Sequence, residues 1–299
     1  MDGGVGDHMA SLTAVNYITK QYPYVKPLVW VPDFLLELSQ HLLPSRALVR
    51  NFSSMKSYYN YNLPTKTTKW DQIISPMKSS CLDYAFMKLA DEIPSIEHRN
   101  YLSIRPKAID VSKFNLPNRY MVLTTAFTAG VREWPAAEVN KVISHIKDLG
   151  ITPVFIGASE TKTGTKHIIK GSISPAIEFK LGIDLIDKTS LLEAARIMGD
   201  AICVMGVDNG LLHVAGLTDT WIIGGFTTVD PKHRMPIRSN TLGYKYVTVV
   251  PPKALGCRFC QCKTNFLYGS DYRNCLYKDN ACTTHMSADK FILAIDNIL

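Results

Sequence analysis

Apolar and polar positions alternate along the chain in two periods. From His8 to about Gln21, Met9, Leu12, Val15, Tyr17 and Ile18 recur at helical spacing. The apolar run Pro27-Leu28-Val29-Trp30-Val31 predicts a buried strand. Phe34 to Leu43 predicts a helix stopped by Pro44, and Ala47 to Phe52 a second strand. Residues 53–80 hold no sustained period and read as an excursion, and Cys81 to about Asp91 as a helix. The stretch 93–118, with Pro94, Pro106 and Pro117, reads as a linker.

A second alternation follows. Strands are predicted at Tyr120 to Thr125, Thr152 to Ile156, a short one from Leu185-Ile186, Ala201 to Val207, Trp221 to Phe226 and Tyr246 to Val250. Helices are predicted at Ala136 to Leu149, Ser190 to Met198, Leu211 to Leu217 and, after Ser287 as N-cap, to about Ile298. Residues 168–177 fit neither period. Strands that alternate with helices imply parallel sheets. The expected fold is therefore α/β, with two Rossmann-like domains facing a cleft. Their bounds are 1–112 and 113–299.

Composition narrows the class. Of 299 residues, 46% are hydrophobic and 20% charged, which excludes a disordered, collagenous or coiled-coil chain. No apolar run reaches the roughly 20 residues that cross a bilayer, and no signal-peptide pattern opens the chain, so the expected place is the cytoplasm. The net charge of +7 is local. Residues 231–278 hold nine Lys/Arg against the single acid Asp271, whereas the other 251 residues hold 24 Lys/Arg against 25 Asp/Glu. A basic segment on a neutral body points to an anionic partner.

The cysteines cluster too. Cys81 and Cys203 stand alone in apolar surroundings and are expected as buried thiols. The other five are Cys257, Cys260, Cys262, Cys275 and Cys282. A structural zinc held by Cys257, Cys260, Cys275 and Cys282 is one expectation for this basic, Cys-rich segment 231–282; thiols packed under a loop are the other.

The stretch Val204 to Gly216 is the most informative. A buried strand ends and Asp208-Asn209-Gly210 opens a helix, so the N–H groups of Gly210 to Leu212 would face the crevice at the strand's carboxyl end. That suits a diphosphate, and Asp208 suits a sugar hydroxyl.

With Lys188 to Ala195 upstream and Gly224 to Pro231 downstream, this segment resembles glycosyltransferase family 9, the heptosyltransferases of the GT-B fold. Thr124-Thr125 ahead of Arg132-Glu133-Trp134-Pro135, and the Gly3-Gly4-Val5-Gly6-Asp7 loop, extend the likeness. The resemblance implies inverting transfer of a sugar from a nucleotide-diphosphate sugar to a hydroxyl, with no metal or other cofactor needed for catalysis. It implies that Asp7, behind the glycine loop of Gly3, Gly4 and Gly6, is the general base. Arg132 would neutralise the leaving diphosphate, joined by Thr124, Thr125 or Thr128 and by Lys232, His233 or Arg234. Asp208, Asn209, Gly210 and Leu211 would hold the donor, Glu160 would meet a ribose or base edge, and His213 is a ligand or a packing histidine. The C-terminal helix would cross back to the N-terminal domain. Three features depart from the family pattern: Asp-Asn-Gly replaces Asp-Thr-Gly or Asp-Ser-Gly, Thr125 stands further from Arg132, and the strand that the family places before the glycine loop is not seen ahead of Gly3. Three acceptor readings stay open: a phosphorylated envelope saccharide of lipopolysaccharide type, DNA with a hydroxylated base, or no transfer at all but zinc-stabilised nucleic-acid binding. The sequence leaves the oligomeric state undetermined.

Overall fold

A computed structural model describes residues 5–51, 81–94, 109–125, 129–163, 167–170, 173–236, 245–263, 275 and 277–299; at 81–82, 160–163 and 167–170 it describes the backbone alone. The expected excursion at 53–80, Gly3, Gly4 and Thr128 therefore lie outside the described residues. The helices are α1 (Val5–Gln21), α2 (Leu36–Leu42), α3 (Cys81–Leu89), α4 (Ala136–Asp148), α5 (Leu191–Asp200), α6 (Gly210–Ala215), α7 (Pro231–Arg234), α8 (Cys260–Lys263), α9 (Ala281–Thr284) and α10 (Ala288–Asp296). The strands are β1 (Leu28–Val31), β2 (Leu48–Asn51), β3 (Tyr120–Thr124), β4 (Thr152–Phe155), β5 (Glu160–Thr163), β6 (His167–Lys170), β7 (Ile183–Asp184), β8 (Cys203–Val207), β9 (Trp221–Gly225) and β10 (Tyr246–Val249).

Strands β1 and β2 pair in parallel, with Leu28 opposite Leu48. The main sheet runs β10-β9-β8-β3-β4-β7, all parallel. Its order reverses between β3 and β8, so the crevice beyond their carboxyl ends is the topological switch point, the usual ligand position in such sheets. Both faces of the sheet are buried, which is why its strands read as continuous apolar runs. On one face Val122, Val154, Val204 and Ile222 pack under α5 and α6, and this core continues into α1, α2 and α3. On the other, Met121, Leu123, Met205 and Ile223 pack under α4 and α10. Cys203 is buried on that second face, as expected.

The C-terminal helix departs from expectation. α10 packs on α4 and β10 of its own sheet through Phe291, Ala294 and Ile295. Glu138 accepts the Ala288 N–H (2.7 Å), and His145 meets Asp296 at 2.7 Å. Among the described residues, then, it makes no return to β1 and β2. The first unit is tied in from the other end, because α1 packs against both α3 and α6. That burial explains the polar residues in α1. Thr13 and Thr19 satisfy their hydroxyls on the carbonyls of Met9 and Val15, one turn back.

Smaller differences have local causes. α1 begins at Val5, so Gly6 and Asp7 are helical, not loop. β7 falls at Ile183–Asp184 because the Asp184 carboxylate accepts the Ile186 N–H and turns the chain there. The unassigned stretch before Ile177 contains β6, paired antiparallel with β5. α5 is capped by a reciprocal pair: Ser190 accepts from Glu193 N–H and Glu193 accepts from Ser190 N–H. Among the described residues no helix is long and apolar enough to cross a membrane.

Candidate functional site

The switch point is built from the ends of β3 and β8. After β8, Asp208 is held by its N–H to the Gly225 carbonyl (3.0 Å) and lies almost buried, 7% exposed. Asn209, not Asp208, is the N-cap of α6. Its Oδ1 accepts from the N–H groups of Leu211 (3.0 Å) and Leu212 (3.2 Å). Two of the three N–H groups expected to face a diphosphate, those of Leu211 and Leu212, therefore already donate to the Asn209 side chain, and that of Gly210 is not among them. The Nδ2 of Asn209 donates to the carbonyl and hydroxyl of Thr124 (3.2 and 3.3 Å), binding the ends of β3 and β8 together. One amide thus caps a helix and bridges two strands at once, its Oδ1 accepting and its Nδ2 donating. Thr124 is fully buried by that arrangement and has its hydroxyl turned inward, while Thr125 follows it at 4% exposure.

Arg132 stands opposite. It ends a one-turn helix, Gly130–Arg132, which leads through Trp134 and Pro135 into α4. Trp134 anchors the lead by stacking on Phe291, centroids 4.0 Å apart. The Arg132 Nε lies 3.5 Å from Asp208 Oδ2, and Nη1 lies 3.5 Å from the Asp208 carbonyl. The first contact is an ion pair without an aligned hydrogen bond, and that buried Nε has no hydrogen-bond partner among the described residues. Burial opposes ionisation of Asp208, but Arg132 and Arg234 outweigh it and hold the carboxyl below its ordinary range. Of the three cations expected near the leaving group, Arg234 is thus the one whose field reaches Asp208. Its helix, α7, starts from Asp230, whose side chain accepts the Lys232 N–H.

His213 resolves toward packing. It is buried in α6, and burial pushes its pKa down to about 4 against the pull of Asp208 and Asp7, so it is neutral at pH 7. A Cβ on Gly6 would stand 2.6 Å from its ring, and a Cβ on Gly210 would stand 2.7 Å from Val5 Cβ. The glycines at the starts of α1 and α6 therefore let the two helices approach closely. Asp7, in the first turn of α1, is brought near His213 by that contact. The sequence carries no local signal for the fit of Gly6 against His213, because 207 residues separate them. Glu160 opens β5 at the far side of β4, and only its backbone is described.

Behind Arg132 lies a cavity of about 10 Å3, room for one water-sized atom. Cys257, Cys260, Cys275 and Cys282 line it with Val131, Thr227, Thr228, Tyr277 and Ala281. These are the four cysteines expected as a metal set, while Cys262 points elsewhere, accepting the Asp230 N–H at 3.4 Å. The thiols surround the void without closing into coordination, and no three metal-type side chains among the described residues form a ligand group as they stand. Burial and the neighbouring thiols push Cys282 up to about 11. Three residues around them, Phe259, Lys278 and Asn280, have left-handed backbone, so the chain bends tightly around the void. The hydroxyl of Thr228 is buried there with no partner among the described residues, an arrangement that costs about 1–3 kcal/mol.

Comparison with known proteins agrees with this fold. No curated protein matches the chain. Among solved structures, TibC of enterotoxigenic E. coli H10407, described as an iron-containing dodecameric glycosyltransferase, is 16% identical with a TM-score of 0.74; the match covers 100% of this chain and 74% of TibC. E. coli ADP-heptose LPS heptosyltransferase II is 12% identical with a TM-score of 0.62, covering 98% and 97%. E. coli heptosyltransferase WaaC with ADP is 13% identical with a TM-score of 0.58, covering 99% and 97%. Residues 36–249 match the model of "Glycosyltransferase family 9 (heptosyltransferase)". The chain belongs to glycosyltransferase family 9 and is a glycosyltransferase with the two-domain α/β architecture of the heptosyltransferases.

Proposed function

We propose that the protein moves a sugar, with inversion, from a nucleotide-diphosphate sugar to a hydroxyl of an anionic acceptor, a lipopolysaccharide-type saccharide. The observation that carries this reading is the loose Arg132–Asp208 pair at the switch point. A guanidinium held at 3.5 Å from its carboxylate is poised to exchange it for a diphosphate, with shorter charge-assisted bonds. A donor of the ADP-heptose kind suits the site, since TibC has been solved with ADP-D-beta-D-heptose and WaaC with ADP.

The steps follow from the residues. Asp7, held where α1 meets α6, takes the proton of the acceptor hydroxyl as it attacks the anomeric carbon. The sugar–phosphate bond breaks on the opposite face, and Arg132 with Arg234 receives the negative charge left on the diphosphate. Asp208, released from Arg132, accepts a hydrogen bond from a donor hydroxyl. Thr125, Thr128 and Glu160 complete the donor side, which we assign to 113–299, and residues 1–112 face the acceptor. The place of action is the cytoplasm.

The four cysteines suit a structural divalent metal, zinc or iron. Their void is one atom wide, and the orphan Thr228 hydroxyl beside them fits a thiolate acceptor. Bound there, the ion would brace the fold behind Arg132 and take no part at the reacting carbon.

The test is transfer of labelled heptose from ADP-heptose to lipopolysaccharide core, with hydroxymethylated DNA as a parallel acceptor. Label in the saccharide and none in DNA is expected; label in DNA alone would overturn the acceptor assignment.

A further inference from the structure

Thr227 and Thr228 are adjacent, and their hydroxyls serve opposite sides. The Thr227 Oγ1 donates to the Val131 carbonyl at 2.5 Å, one residue before Arg132. The Thr228 Oγ1 is buried at the four-cysteine void and has no partner among the described residues. The same strip of chain is held from the cysteine side, because Gln261 N–H donates to the Thr228 carbonyl (3.1 Å). α9, which carries Cys282, packs on the turn that ends at Arg132.

Resting on the metal reading above, we propose that Thr228 is a positioning residue of the cysteine cage. Its hydroxyl donates to a metal-bound thiolate, and through Thr227 and Val131 it fixes the turn that presents Arg132. When a divalent ion enters, each ligating thiol gives up its proton and becomes a strong acceptor. The hydroxyl then gains the acceptor it lacks in the thiol form. Such donors beside a metal ligand hold its orientation, and their loss weakens metal binding about 10–100-fold. The Thr227–Val131 bond carries that order to the backbone next to Arg132, so diphosphate affinity should follow metal occupancy.

The experiment uses the full chain with cobalt(II) as the probe, followed by its thiolate-to-metal absorption and by competition with a chelator. Wild type is expected to take about one cobalt per chain with a tetrathiolate spectrum. Thr228→Val should bind it at least tenfold more weakly, and Thr228→Ser should restore binding to within twofold. Thr228→Ala supplies the same readout should the valine variant not fold. ADP titrated into the cobalt-loaded wild type should bind severalfold more tightly than into the stripped protein. Wild-type affinity for cobalt in both Thr228→Val and Thr228→Ala would overturn the role of Thr228 and leave the cage standing. Unchanged ADP affinity on stripping would overturn the link to Arg132. Absence of the cobalt–thiolate spectrum in wild type would overturn the cage, and the inference with it.

Discussion

The cluster in front of Arg132 and the cavity behind it are both buried, yet their polar groups are satisfied in different ways. In front, Asp208 and Arg132 neutralise one another, Arg234 adds charge, and His213 stays neutral because burial forbids its proton. Behind, four thiols surround a small void and the Thr228 hydroxyl has no partner among the described residues. The front is charge-balanced without a ligand but loosely bonded, with the Arg132 Nε lacking a hydrogen-bond partner among the described residues, which suits a substrate that must come and go. The back stays incomplete until something fills it, which suits a permanent ion. Arg132 sits on one short turn between them, so each cluster can be broken separately and the effect read at the other.

The largest effect is expected at the seam of α1 and α6. Asp7→Asn should lower kcat by about 1,000-fold, within the usual range for loss of a general base, while ADP binding stays within twofold. A variant as active as wild type would remove Asp7 from that role. Next, Arg132→Ala should lower kcat/KM about 100-fold, as loss of a preorganised charge partner does, with Arg132→Lys recovering part of it. An equal loss in both would show that the guanidinium fork matters rather than the charge alone.

The third effect is in stability. The His213 pKa is about 4 in the fold and about 6.5 unfolded, so the unfolded chain takes up the proton first as pH falls. The stabilisation is complete above pH 6.5 and is lost as pH falls toward 4, roughly 3 kcal/mol in all. In His213→Asn, unfolding free energy measured against pH should lose that part of its slope. A parallel curve would mean that another group, such as Asp208, governs acid unfolding. The smallest effect is Asn209→Ala, about 1 kcal/mol for the lost cap, read as a lower denaturant midpoint.

Most main-sheet strands and the longer helices from Tyr120 onward were legible because the sheet is buried on both faces and those helices are amphipathic, whereas the β5–β6 pair, the exact place of β7 and the one-turn helices α7, α8 and α9 were not. The strand end at Asp208 that opens a helix was legible too. What was not legible depended on contacts between distant residues. Asp-Asn-Gly reads as an open anion site, but the Asn209 Oδ1 accepts two of the helix N–H groups while its Nδ2 reaches across to Thr124. Gly6 reads as loop, but it lies in the first turn of α1, where a Cβ would stand 2.6 Å from the His213 ring. α10 reads as a helix free to cross domains, but Glu138 and His145 hold it on α4. Thr227 and Thr228 look alike in sequence, and only the fold sends one hydroxyl to Val131 and leaves the other at the thiols.

The central claim is that the switch point between β3 and β8 holds the donor's diphosphate through Arg132. Calorimetric titration of ADP into wild type and Arg132→Ala at one ionic strength tests it directly. Wild type should bind one ADP per chain, and the variant at least tenfold more weakly. Equal affinity in the two, or no binding to wild type, would contradict the account.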